Sequence, residues 1–404
     1  MLDVAAWRAD LDALVADLEE FHPNPWWRVG KEAFLADVAD VSARFPELTS
    51  DQATLEIVRL AAEIDGHTQV FVGSLGWDFA RIQLYAFQDG IGVVGASDPS
   101  LLGGGVIAIG NVPAEEAFDR ASVLASYDNP ETKAFTTPFL LAVPRLLSGL
   151  GIIDDVPTYT IRRIDGTTVT ITPETGTFDQ YRSWFGDPVI GLPRSDRMPS
   201  LAHKTTPFWW TALDSGSVYL QYNQVTGSSR DPSTGTEVTL ATVAQQVGAA
   251  LDADPHAALF VDMRHNLGGD NHTYGPLLSM LTDRFADSCG LYVIVGRATF
   301  SAAVNFVTQV EQQTEAVFVG EPTGGSPNLY GDVTTVKLPT SHIEVRISTR
   351  YWGFGGPNDH RIWIAPSISV PPTLADWNTG RDATLETIPP GRGCLEPQPN
   401  GFGT

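Results

Sequence analysis

Ser301 occupies a conspicuous address. The run "GRATFSAAVNF" (296–306) sets it between an aromatic-ended, β-prone stretch and a small-residue stretch ready to form a helix. A hydroxyl at such a strand-to-helix turn can act as a nucleophile. The helix start offers free N–H groups and the positive end of the dipole where an oxyanion would form. The same address suits a helix N-cap, the commonest task of a serine there, and position alone favours the cap. The G-x-S-x-G elbow of α/β-hydrolases is absent. A second loop, "FVDMRHNLGGDNHTYG", places Gly268 and Gly269 just past an apolar run. Paired glycines let a backbone approach a ligand and offer amides to a developing negative charge, or simply make a tight connection. His265, Asp270 and His272 lie in the same loop, but their spacing matches no H-E-x-x-H pattern, so no metal is expected.

These loops need strands and helices to hold them. After residue 205, "GSVYLQYNQV", "AALFVDMR", "GLYVIVG" and "AVFVG" read as strands, separated by helical patterns at 237–253, 274–284 and 301–314. Apolar strands without alternation, interleaved with helices, predict parallel βαβ units covered on both faces. Chemistry in such sheets gathers at the carboxyl ends of the strands, where Ser301 and the glycine pair fall. Upstream, residues 1–75 read as a helical unit with helices at 3–21, 30–45 and 50–64. Ser50 is the expected N-cap of the third, and "DGHTQVFVG" turns towards strand. Residues 80–180 are β-rich, interrupted by helical pieces at 113–127 and 136–150. "GDPVIGLPRSDRMPS" reads as a linker, 205–388 as the α/β core, and 389–404 as a Pro/Gly-rich flexible tail.

The 404 residues are too many for one ordinary core, so two or three domains are expected. The formal charge of −23 would repel a phosphate backbone, and no basic patch offsets it, so nucleic-acid binding is not expected. No apolar run is long enough to span a membrane. Cys289 and Cys394, far apart and outside any C-x-x-C, make a disulfide framework and a cysteine zinc site improbable. The acidic, amphipathic start is not a signal peptide. Compartment is left open: cytoplasmic as the chain stands, secreted if a leader has been removed.

Taken in order, "DMRHNLGG", "GRATFSAA" and "VGEPTGG" resemble the tail-specific (C-terminal-processing) serine peptidase family, which includes the tricorn core proteases. "AEIDGHT" resembles the family's D-x-H-T segment, and "LLGGGVIAIGNVPAEEAF" is similar to the stretch where these proteins carry a PDZ-like module. "IWIAPSISV" with "GRDATLE" matches the end of the core, so the resemblance covers nearly the whole chain. It implies a crotonase/Clp-protease-like α/β core, Ser301 as nucleophile, and an oxyanion hole from Ala302 and from Gly268 or Gly269. It implies no cofactor and a peptide or protein substrate, and it leaves homo-oligomerisation open.

The resemblance also bears on the base. The processing branch uses a lysine in a T-x-G-K stretch, but Ser326 stands at that position. The chain's four lysines, Lys31, Lys133, Lys204 and Lys337, all miss the spacing. A serine hydroxyl has no proton-accepting form near neutrality to replace it. The tricorn-like branch uses the D-x-H-T histidine, here His67, whose imidazole can act as base and then acid. That branch also implies a supporting carboxylate in the region of Asp359, beside His360. Asn328 and Tyr330, in "SPNLYGD", are candidates for lining the site and equally for loop residues. The leading reading is a serine peptidase working through an acyl-enzyme. The alternatives are an inactive peptide-binding protein on the same scaffold and a hydrolase of small esters or amides.

Overall fold

The first helix, α1 (Val4–Phe21), starts where an aspartate can cap it. Asp3 is extended, and its carboxylate accepts the Ala6 N–H at 2.8 Å. Trp7, Leu11, Leu14 and Leu18 then fall on one face and are buried. Helices α2 (Lys31–Arg44) and α3 (Ser50–Ala62) follow. The cap of α3 is Thr49 rather than the expected Ser50. Thr49 is extended and exchanges hydrogen bonds with Gln52, whereas Ser50 already lies in the helix.

This computed structural model describes residues 3–186 and 190–389. The expected flexible tail lies almost wholly outside the described residues, as does part of the expected linker. The chain falls into two units: Met1–Pro193 with Tyr330–Trp352, and Arg194–Leu329 with Gly353–Thr404.

In the first unit an antiparallel sheet runs in the order β1 (Ile82–Phe87), β2 (Gly90–Ala96), β3 (Gly105–Ile109), β4 (Tyr159–Arg162), β5 (Thr168–Ile171), with Val112–Pro113 pairing to β3. The helical piece expected at 136–150 is two helices, α4 (Pro130–Leu140) and a short one at Pro144–Gly149. Asn129 caps α4 early by accepting from Glu131 and Thr132, and Pro130 occupies the first turn, where its missing N–H does no harm. A hairpin of Asn328–Lys337 and Glu344–Gly353 sends Leu338, Ile343, Val345 and Ile347 into the helical core. Buried Asp10 receives the Thr340 and Ser341 N–H groups at 2.8 Å each. "DGHTQVFVG" is a turn, one isolated bridge (Gln69 to Arg346) and a short 3-10 helix, not a strand. The turn forms because Asp65 draws in backbone N–H groups that a ladder would otherwise use.

The second unit is the expected alternation. Its sheet runs β6 (Phe208–Ala212), β7 (Val218–Tyr222), β8 (Leu259–Asp262), β9 (Leu291–Val295), β10 (Val317–Gly320), β11 (Ile368–Ser369). All pairs are parallel except β6 with β7. Every residue of β7, β8 and β9 is buried, as a sheet covered on both faces requires. The crossovers are α5 (Leu240–Ala253), α6 (Gly275–Phe285) and α7 (Ala302–Gln313). Cys289 is disulfide-bonded, although the wide separation of the two cysteines made a disulfide framework improbable; the chain's other cysteine, Cys394, lies outside the described residues.

Candidate active site

Beyond β9 the chain makes a tight turn before α7. The Thr299 hydroxyl donates to the Met263 carbonyl at 2.9 Å and accepts the Gly296 N–H at 3.0 Å, tying this turn to the loop after β8. Phe300 N–H donates to the Asn266 carbonyl at 3.1 Å. Ser301 comes next, with φ 56° and ψ −129°. Its carbonyl accepts the Asn305 N–H, so it begins the helix, but its hydroxyl makes no capping bond. A side-chain cap needs an extended backbone, and positive φ turns the hydroxyl away from the helix N–H groups. The capping role that position alone favoured is therefore absent. A non-glycine residue held in such a conformation costs about 1–3 kcal/mol and clusters at functional sites.

The glycine loop packs against this turn. A Cβ on Gly268 (φ 105°) would stand 2.7 Å from Ser301 Cβ and 2.9 Å from the Ala302 nitrogen. A Cβ on Gly269 (φ 146°) would stand 2.0 Å from the Val225 carbonyl oxygen. Both positions thus exclude a side chain. The loop is held because Val225 N–H donates to Gly268 O at 2.9 Å, and Asp270 N–H to Val225 O at 2.8 Å. The Gly268 N–H donates to Asn266 Oδ1 at 2.9 Å, so it is already in use. Among the described residues the N–H groups of Gly269 and Ala302 donate to no acceptor.

Asn266 was not legible in the sequence as a site residue. It is fully buried, and its Nδ2 donates to the Tyr222 carbonyl at 2.8 Å while Oδ1 holds Gly268. Its own carbonyl receives Phe300, so one side chain and one carbonyl lock the glycine loop to the serine turn. Asn266→Ala would leave the Tyr222 carbonyl and Gly268 N–H unpartnered. We expect a loss of about 1–3 kcal/mol in urea unfolding.

Beneath the loop lies an ionic network. Asp262 accepts the Tyr219 hydroxyl at 2.7 Å and the Arg264 guanidinium at 2.8 Å; Arg264 also reaches Asp382, which accepts the Ser200 hydroxyl at 2.7 Å. Lys204 is the buried one of the four lysines, and burial brings its pKa down to about 8. His265 is pushed well below the usual imidazole range by burial and by the cations Lys204 and Arg264. Among the described residues no three His, Cys, Asp or Glu side chains converge as metal ligands.

Asn328 and Asp359 come together, but through a loop. Asn328 Nδ2 donates to the carbonyls of Gly356 and Asp359 at 2.8 Å each, and its Oδ1 accepts Gly355 N–H at 3.0 Å. Its amide is therefore committed to backbone. The Asp359 carboxylate pairs with Arg361, which also grips Glu311. The Arg361 hydrogen bond holds the carboxyl below the usual range. Among the described residues its hydrogen bonds are with Arg361 and none is with Ser301.

In the first unit, His67 sits in a turn organised by Asp65. This fully buried carboxylate accepts His67 N–H at 2.7 Å and Thr68 N–H at 2.6 Å through Oδ1, and the Ser348 hydroxyl at 3.0 Å. Its Oδ2 accepts His22 Nε2–H at 2.7 Å, while His22 Nδ1 accepts Asn24 N–H, an arrangement that fixes the neutral Nε2–H tautomer. Burial alone would raise the Asp65 pKa; the His22 bond and the His67 ring bring it below the usual value. For His67, burial lowers the pKa, opposed by Asp65, Asp332 and a backbone hydrogen bond to Tyr330. The ring is thus held neutral at neutral pH. Tyr330 packs against His22, with ring centroids 4.6 Å apart, and near Trp27 and Tyr351. In the sequence His22 stands in "HPNPWW", where two close prolines stop a helix and nothing marks the histidine as part of a site.

Neither a family model nor a curated relative matches the sequence. Solved structures do match its fold. A serine-to-alanine mutant of the protein CPAF superimposes with a TM-score of 0.67 at 13% identity, over 95% of this chain and 96% of that one. Mature CPAF complexed with lactacystin gives 0.65 at 13% identity, over 93% and 96%. The fold is similar to that of CPAF. At this identity the likeness speaks of architecture: a mixed α/β fold with several sheets. Among the described residues no helix is long and apolar enough to cross a membrane.

Proposed function

We propose that the chain is a serine peptidase of the tail-specific type, nearer the tricorn-like branch than the Ser–Lys branch. The observation that carries this is Ser301 itself. It is strained and uncapped, Gly268 packs against it, and the N–H groups of Ala302, which follows it, and of Gly269, which follows Gly268, donate to nothing among the described residues. In this reading Ser301 Oγ attacks the scissile carbonyl as its proton passes to His67, and the two amides hold the oxyanion. His67 then returns the proton to the leaving amine, the C–N bond breaks, and water releases the acyl group by the same steps in reverse. Gly268 contributes the space beside Ala302. Tyr330 lines the base's surroundings, and Asp359 supports the site as the partner of Arg361. The antiparallel sheet of the first unit enters as the PDZ-like module, binding an extended peptide by strand addition.

A fluorophosphonate probe tests the nucleophile, with mass spectrometry to locate the adduct. Labelling at Ser301, weakened at least tenfold in His67→Ala, is the expected result. A folded protein that takes no label points to the non-catalytic alternative, and turnover of small esters with none of peptides to the other.

The base makes a separate prediction. A neutral imidazole is the competent form, so kcat/KM should fall as pH drops through the His67 pKa, which lies below the ordinary imidazole value. Asp332 raises that pKa from an exposed position, so Asp332→Asn should move the acid limb to lower pH, more so at low salt. A limb that stays fixed, or moves up, contradicts the assignment.

A further inference from the structure

One buried carboxyl outside the groups used so far touches the turn that carries His67. Asp128, 8% exposed, precedes the Asn129 cap of α4. Its Oδ1 accepts the Gly66 N–H at 2.8 Å. Three successive N–H groups of the turn are therefore committed: Gly66 to Asp128, and His67 and Thr68 to Asp65. Asp128 supplies the only one of these bonds that does not come from the turn's own aspartate.

We propose that Asp128 is a positioning residue for His67, its carboxyl pinning Gly66 and with it the backbone that aims the imidazole. The inference rests on His67 being the base.

Charged and titratable groups reach Asp128 and the turn from several elements. From the 65–68 turn, Asp65 presents a buried carboxylate, itself bound to His22. From the segment after α1, Arg28 donates Nη2–H to the Asp128 backbone carbonyl at 3.3 Å. Arg28 also lies 4.2 Å from the Tyr127 ring centre, as does Lys133 Nζ from α4, and Glu63 at the end of α3 acts on Lys133. From the hairpin, Asp332 acts on His67. Burial first, then the Asp65 charge, pushes Asp128 up to about 7, opposed by the Gly66 N–H and by Arg28. Asp128 Oδ2 and Arg28 Nη1 are both buried, and neither has a hydrogen-bond partner among the described residues. Ionisation would place a second negative charge beside Asp65, but the Gly66 N–H favours the ionised carboxyl, so the bond that pins the turn holds in either form.

The test uses the full chain and two variants. Asp128→Asn keeps an acceptor for Gly66 and cannot ionise; Asp128→Leu removes the acceptor. At pH 6.5, Asp128→Asn should keep kcat within about threefold of the parent, and Asp128→Leu should lose about 10–100-fold in kcat with KM little changed. The Gly66 amide, followed by NMR hydrogen exchange, should be protected in the parent and in Asp128→Asn, and the His67 ring signal should shift in Asp128→Leu alone. An Asp128→Leu enzyme that keeps kcat within about threefold of the parent, or an Asp128→Asn enzyme that loses as much as Asp128→Leu, would overturn the proposal. If Asp128→Leu fails to fold, an unprotected Gly66 amide in the folded parent overturns it. If His67→Ala keeps full turnover, the base assignment has failed, and the Gly66 exchange still reports whether Asp128 governs the turn.

Discussion

Ser301→Ala is expected to abolish probe labelling and to lower peptide hydrolysis by about 10⁵-fold or more, while Ser301→Gly makes the protein more stable. The first effect follows from removing the atom that forms the acyl bond in the proposed mechanism, since oxyanion donors without a nucleophile retain only a weak residual rate. The second follows from the backbone. At φ 56° and ψ −129°, Ser301 holds a conformation that glycine adopts freely. Relief of about 1–3 kcal/mol of strain, less about 0.5–1 kcal/mol for glycine's added unfolded-state entropy, leaves a gain of about 0–2.5 kcal/mol, read by urea unfolding. The two results separate the readings. An inactive binding scaffold would have no reason to keep a strained serine beside undonated amides. A Ser301→Gly variant less stable than its parent would sink the strain argument, and a Ser301→Ala enzyme that still turns over peptides would remove the nucleophile.

The parallel sheet was legible because its strands are buried on both faces. The runs at β8, β9 and β10 are apolar throughout, and helices of the right period separate them, so position along the chain already put Ser301 and Gly268 at one end of the sheet. What stayed hidden depends on contacts between distant residues. Whether a serine before a helix caps it is decided by one dihedral angle, and no residue type announces that angle. Thr49 and Ser50 are chemically alike, and only the reciprocal bond with Gln52 tells them apart. "DGHTQVFVG" has strand composition, yet a buried carboxylate at its start captures two of its backbone N–H groups. His22 and Asp128 lie 43 and 62 residues from their partners, Asp65 and Gly66, and have no spacing to betray them. The glycine pair was visible, but not the division of labour within it.

That division yields the second large effect. Gly268→Ala should lower kcat by about 10²–10³-fold, the range for losing an oxyanion donor, with the protein still folded. The substituted Cβ would lie 2.7 Å from Ser301 Cβ and 2.9 Å from both the Ala302 nitrogen and the Phe300 carbonyl oxygen. None of these is the end of a flexible side chain, so the loop and the serine turn must part by several tenths of an ångström, and the Ala302 amide is what the new methyl covers. Gly269→Ala meets a different obstacle, the Val225 carbonyl at 2.0 Å, within the backbone bonds that hold the loop to the chain after β7. Its first effect should be on stability. Comparing the two by urea unfolding and by burst-phase acylation separates site from scaffold. Gly268→Ala should lose acylation rate out of proportion to stability, and Gly269→Ala the reverse. If Gly268→Ala keeps its acylation rate within about threefold, the space beside Ala302 is not where the oxyanion forms, and the hole must be built from other amides.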